Sequence, residues 1–176
     1  NVNYNKEDSL NQLMLAQAYD AAARFNADGN PETFYYYADG ALAAVNKSIA
    51  ASPGRVTVYF SKAQILMIRG ETDEAIDTLK YAVSLNKDYV DSYCNLSRFL
   101  LALGREDEGF QAMDKCIDKG GNSNLYPAEY VKLLINHYAG LEGEENIERV
   151  IKLYELLANN SESNDAKVWV NLASLY

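Results

Sequence analysis

Proline, glycine, histidine, cysteine and positive charge are all in short supply here, and each shortage removes a class of protein. With 3 Pro and 10 Gly in 176 residues, the chain lacks the punctuation that an all-β protein of many tight turns needs. One histidine, His137, and two cysteines, Cys94 and Cys116, match no zinc-ligand or redox spacing, and the cysteines leave the redox compartment open. His137 has no nucleophile or orienting acid at a spacing that suggests a catalytic arrangement, so it reads as a structural residue. The 16 Lys and Arg against 25 Asp and Glu give a formal charge of −9. That is the wrong sign for a nucleic-acid or anionic-membrane surface. Long apolar runs are missing as well. The longest nearly uncharged stretch, 34–46, contains Asp39 and Gly40 and is too short to span a membrane. No glycine-rich phosphate loop and no calcium-loop series occurs. The expectation is a chain without enzyme activity, cofactor or metal.

What remains is 48% apolar and 23% charged, a globular composition at single-domain length. In 56–89, Tyr59, Ala63, Leu66 and Met67 fall at helical spacing, and Ala75, Ile76, Leu79, Ala82, Val83 and Leu85 do so again. Between them, Gly70-Glu71-Thr72-Asp73-Glu74 combines a glycine helix stop with a start in which Thr72 or Asp73 can cap. The segment predicts a helix–turn–helix pair. A shift of 34 residues, a period typical of helical-pair repeats, carries Tyr59 to Tyr93, Ala63 to Ser97, Leu66 to Leu100 and Gly70 to Gly104. It also carries Ala75 to Gly109, Leu79 to Met113 and Ala82 to Cys116. Small residues thus recur where two helices would cross closely.

These residues resemble the tetratricopeptide repeat family, whose unit is a 34-residue helical pair with W-x2-L-G-x2-Y in its first helix. The resemblance implies an all-α, right-handed α-α superhelix. Residues 1–8 form an N-terminal extension, and the repeat domain runs over 9–176. Its repeats are 9–55, with an insertion at 25–37, then 56–89, 90–127 and 128–165, and a half repeat at 166–176. Asn30-Pro31 in the insertion is a helix-start signal for one long helix, in which Gly40 could make a break. The run 34–37, Phe-Tyr-Tyr-Tyr, is expected to pack on the first turns of the solenoid. Ile135 and Ile147 replace the usual small residues and imply a wider helix crossing. In the half repeat, Trp169, Leu172, Ala173 and Tyr176 fit the signature, and Trp169, Leu172 and Ala173 are expected to pack back on Ile151, Tyr154 and Leu157.

By the same resemblance the first helices line a concave groove. Its expected partner-binding residues are Phe60, Gln64, Met67, Ile68, Cys94, Asn95, Arg98, Leu101, Lys132 and Asn136, with Leu10, Leu13 and Gln17 extending it toward the N-terminal end. A partner peptide or helix would anchor on the apolar members, while Gln64, Asn95 and Arg98 supply polar contacts. One subclass of the family clamps a C-terminal carboxylate with Lys, Asn, Asn, Lys and Arg. Lys132, Asn136 and Asn171 occupy the first three of those places, but Phe60 and Leu13 replace the first Lys elsewhere. The function implied is a non-catalytic protein-interaction scaffold. The alternative is a helical accessory domain of a larger bacterial envelope protein or enzyme, one handling glycans included, with the envelope or periplasm favoured over the cytoplasm. Self-association through 166–176 is a third expectation. A start at Asn1 and an unfinished last repeat suggest a fragment.

Overall fold

The computed structural model describes residues 8–120, 128–159 and 166–174, without the side chains of 166 and 167. Those residues form α1 (Ser9–Phe25), α2 (Pro31–Ala51), α3 (Val56–Ile68), α4 (Thr72–Leu85) and α5 (Val90–Ala102). They continue as α6 (Glu106–Asp118), α7 (Ala128–Ala139), α8 (Glu144–Ala158) and α9 (Ala166–Ala173). Each odd-numbered helix up to α7 packs on the even-numbered helix after it, and α1, α3 and α5 also touch in succession. The result is an all-α repeat solenoid, as the periodicity predicts. Residues 1–7 of the N-terminal extension, the end of the repeat 90–127 beyond residue 120, and Tyr176 lie outside the described residues.

The turns follow from a few residues. Gly70 and Gly104 take φ of 81° and 72°, the left-handed region that side chains disfavour. The Glu71 N–H donates to the Leu66 carbonyl at 2.9 Å, and the Gly70 N–H donates to Met67 at 3.1 Å. Arg105 and Gly104 repeat the pair on Leu100 and Leu101 at 2.9 and 3.0 Å. This double bond pattern closes the last helical turn and satisfies its carbonyls. It leaves a single residue before the next helix, which corrects the expected cap. Helix α4 starts at Thr72 behind Glu71 and has no side-chain cap bond. Asp73 and Glu74 instead lie in the first turn, where the helix dipole favours acids. In the insertion, Asn30 caps α2 through its side chain, accepting from the Glu32 N–H at 2.8 Å, with Pro31 at the first position. Helix α2 runs unbroken through Gly40, because a Cβ there would lie 3.1 Å from the Tyr19 ring. That glycine admits the close approach of α1.

The core is a chain of linked clusters rather than one centre, as nearest-neighbour repeat packing requires. Leu13, Ala16, Ala41, Val45, Val58 and Ile65 join α1, α2 and α3. Leu66, Ala75, Leu79, Leu96 and Leu100 carry the contact onward, and Leu134, Val150, Leu153 and Val168 reach α9. Leu15, by contrast, is exposed on α1. Between α5 and α6, Leu101 presses so close to Gly109 that a Cβ would meet it at 2.7 Å. Helices α7 and α8 make the sparsest pairing of the hairpins. Ile135 is buried there, but Ile147 is 51% exposed, so that side chain does not hold the two helices apart. Tyr37 packs near Tyr19 with ring centroids 6.3 Å apart, while Tyr35 and Tyr36 are exposed.

The structure adds one feature that the sequence left open and corrects one expectation. Cys94 and Cys116 form a disulfide between α5 and α6 with Cα atoms 5.0 Å apart. Both cysteines are buried in the core around α5–α9. Trp169 is 52% exposed and Ala173 exposed too, while Val168 and Leu172 are the buried residues of α9. The reason lies in the complete repeats. Tyr59 and Ala63, which correspond to Trp169 and Ala173, pack against Ala82 and against Ala75 and Leu79. Those partners belong to the second helix of the same repeat. In the complete repeats the signature face packs on the second helix of the same unit, and in α9 the corresponding face is not turned onto α8.

Candidate functional site

The first helices of successive repeats line an open cavity of about 380 Å³. Its lining comes from α1 (Arg24), α3 (Phe60, Gln64, Met67, Ile68), α5 (Asn95, Arg98, Phe99, Ala102) and α7 (Tyr130). The second helices contribute nothing to it, because they pack on the convex side and bury their apolar stripes against the first. Phe60 stacks on Tyr89 at 6.1 Å, which fixes one wall. Met67 and Phe99 rest on the cluster of Leu66, Leu79 and Leu100, so the apolar floor is continuous with the core.

The polar groups differ in how far they are already engaged. The Asn95 amide donates to the Asp91 carbonyl at 2.8 Å, leaving its own carbonyl oxygen to accept. Arg24 donates from Nε to Asp20 at 2.8 Å. Gln64 and Arg98 are exposed, and no described residue bonds or pairs with the Arg98 guanidinium.

A smaller cavity of about 250 Å³ lies between α7, α8 and α9, lined by Lys132, Ile135, Asn136, Tyr154, Leu157, Val168 and Asn171. The Asn171 amide donates to the Tyr154 hydroxyl at 3.1 Å. His137, on the same helix, packs against Phe110 with tilted rings whose centroids are 4.8 Å apart.

The structure thus brings Phe60, Gln64, Met67, Ile68, Asn95 and Arg98 to one cavity and places Lys132 and Asn136 in another. Five expected groove residues line neither: Cys94, Leu101, and Leu10, Leu13 and Gln17 of α1. Cys94 corresponds to Phe60 one repeat earlier, but its short side chain turns to Cys116 and is 1% exposed. Leu101 is taken up by the crossing over Gly109. Leu13 faces α2 in the core rather than the groove, and α1 reaches the cavity through Arg24 instead.

Arg24, Phe99, Ala102 and Tyr130 were not among the expected groove residues. Ala102 carried a readable signal, since it stands where Ile68 stands one repeat earlier. Arg24 did not, because α1 has 17 residues against 13 in α3, and its last turn has no counterpart in the repeat register.

Among the described residues, no group of three or more His, Cys, Asp and Glu could hold a metal ion. No described helix is long and apolar enough to cross a membrane.

Together the helical pairs and the concave cavity define an all-α repeat solenoid. Residues 56–89 and 90–118 match a family sequence model described as tetratricopeptide repeat. Proteins built of these repeats generally mediate protein–protein interactions and are generally non-catalytic scaffolds. No curated protein matches the chain by sequence. Among solved structures, it is similar to a thermophilic tetratricopeptide repeat protein of Thermus thermophilus, with 18% identity and a TM-score of 0.50. That match covers 95% of this chain and 98% of the other. It is also similar to MamA, with 18% identity, a TM-score of 0.53 and coverage of 86% and 81%. A third match, at 15% identity and a TM-score of 0.53, is a Podospora anserina putative kinesin light chain with nearly identical TPR-like repeats. It covers 91% of this chain and 84% of that one. At these identities the likeness speaks for the fold alone.

Proposed function

We propose that this chain is a protein-interaction scaffold that takes up an extended or helical segment of a partner in the groove of α3 and α5. The observation that carries the reading is the cavity itself. It joins an apolar floor of Phe60, Met67, Ile68 and Phe99 to polar groups that still have bonding capacity, a combination typical of sites that recognise peptides.

Ile68 tests it best. It lines the cavity, yet it belongs to none of the hydrophobic clusters of the core, so a charge there spares the fold. A displayed library of random dodecapeptides, panned on the wild-type protein, should yield binders that lose at least about tenfold in affinity on Ile68→Asp, equivalent to about 1.4 kcal/mol. Unchanged binding by a variant of unchanged helicity would remove the groove from consideration. Changing Leu101 to a charge would be a poor test, since that side chain packs into a helix crossing.

A second reading draws on the Cys94–Cys116 disulfide. Structural disulfides persist in oxidising compartments, which favours the accessory domain of an envelope or exported protein over a cytoplasmic scaffold. Alkylation of thiols in intact cells before extraction should leave both cysteines unmodified. Full alkylation of both would rule this reading out.

A further inference from the structure

We propose that the groove selects a segment carrying an internal Asp or Glu side chain between apolar residues, and that Arg98 receives its carboxylate. This rests on the groove reading above and names the chemistry of its occupant.

The charge pattern is the first ground. In a chain of net charge −9, Arg24, Arg69, Arg105 and Arg149 pair with acids, while among the described residues Arg55 and Arg98 do not. Arg98 lines the cavity and has no such partner among the described residues. The sequence explains why. Its neighbours one helical turn away on α5 are Cys94, Asn95, Leu101 and Ala102, and Gln64 and Ile68 line the same cavity from α3. None is acidic. Five N–H donors are therefore presented at the open face of a groove with an apolar floor, where they can bond a carboxylate bidentately.

The second ground is where Arg98 stands along the groove. Phe60, Met67 and Ile68 of α3 lie to one side of it, and Tyr130 of α7 lies to the other. A bound segment meets apolar wall both before and after the guanidinium, so the carboxylate belongs to a side chain within the segment. A C-terminal carboxylate would place the chain end at Arg98 and leave one of those walls unused. The position corresponding to the first lysine of the C-terminal clamp is Phe60, which supplies no charge.

The same peptide selection provides the test. Peptides that bind in an Ile68-dependent way are expected to share an Asp or Glu flanked by apolar residues. Arg98→Gln, at an exposed position, should keep wild-type helicity and weaken the corresponding synthetic peptides about tenfold or more. Exchanging the acidic residue of the peptide for its amide should cost as much on the wild-type protein and nothing further on Arg98→Gln. Amidating the peptide C-terminus should change nothing, and raising the salt should weaken binding to the wild type more than to the variant. Ile68-dependent binders without a common acid, or equal binding by Arg98→Gln, would overturn the carboxylate assignment and leave the groove standing. So would loss of binding on amidation. No Ile68-dependent binder at all would overturn both.

Discussion

Replacing both Cys94 and Cys116 by alanine should lower the free energy of unfolding by about 3 kcal/mol, read from urea titrations of the helical signal. The disulfide closes a loop with a sequence separation of 22 between α5 and α6. Cross-linking a loop of about that length removes chain entropy from the unfolded ensemble worth about 3 kcal/mol. Alanine is the appropriate replacement because Ala82, the equivalent of Cys116 one repeat earlier, is fully buried without strain on the crossing. Polar serine would leave hydroxyls in a core where both cysteines are at most 1% exposed. Reductant added to the wild-type protein in denaturant should reproduce the loss, whereas under native conditions burial should delay it. The helical content of the alanine pair should match that of the wild type, because the cross-link acts chiefly on the unfolded chain. Identical urea midpoints for oxidised, reduced and alanine forms would show that the α5–α6 hairpin does not limit unfolding.

The disulfide also illustrates what the sequence could and could not disclose. Repeat spacing is a local constraint: Ala63, Ser97, Ala75 and Gly109 must be small because two backbones meet there, and a shift of one register exposes the coincidence. The helical pairs were legible for that reason. The pairing of Cys94 with Cys116 was not read, because spacing along the chain says nothing until each residue is given a face. Placed in the repeat register, they fall on facing helices of one unit. Trp169 was misplaced by a related omission. In the complete repeats the corresponding face packs on the second helix of the same unit, so the pattern identifies the helix but not the side on which its signature residues lie.

The groove shows the same limit. Positions on α3 were legible because 56–89 follows the repeat without insertion, and Phe60, Gln64, Met67 and Ile68 all reach the cavity. On α5 the register held for Asn95 and Arg98, but packing decided the rest: Cys94 is tied to Cys116 on α6, and Leu101 fills the space that Gly109 leaves. The contribution of α1 was unreadable, since its added length moves the point of entry to Arg24.

Arg149→Met should destabilise the protein by about 2–3 kcal/mol at neutral pH, and the penalty should shrink in acid. Arg149 projects from α8 with its side chain 14% exposed. It donates from Nε to Asp114 at 3.0 Å and from Nη1 to Asp118 at 2.7 Å, and its Nη2 also bonds Asp114. The Tyr138 hydroxyl of α7 donates to the same Asp114, and Lys152 reaches Asp118 at 3.2 Å. One guanidinium thereby ties α6 to α8, and Asp114 ties both to α7. Removing a buried partner and stranding its counter-charge costs about 3–5 kcal/mol when burial is complete. The half-open side around Asp118, 54% exposed, reduces that figure. Methionine keeps the length of the stem, so the measured loss is electrostatic rather than a cavity. Burial pushes the Asp118 carboxyl up, but the bonds from Arg149 and Lys152 outweigh it and hold the group below its ordinary value. Its contribution is therefore present above the unfolded carboxylate range, near pH 4, and is lost as the pH falls through the lower folded value. At the other end, burial and the Asp114 carboxylate push Tyr138 up to about 12, so its hydroxyl contributes fully below about pH 10 and less as the pH rises toward that value. The difference in unfolding free energy between wild type and Arg149→Met should accordingly be level between about pH 5 and pH 9 and fall on the acid side. A difference as large in strong acid as at neutrality would mean that the arginine acts through packing of its stem, and that α6, α7 and α8 are held together without this network.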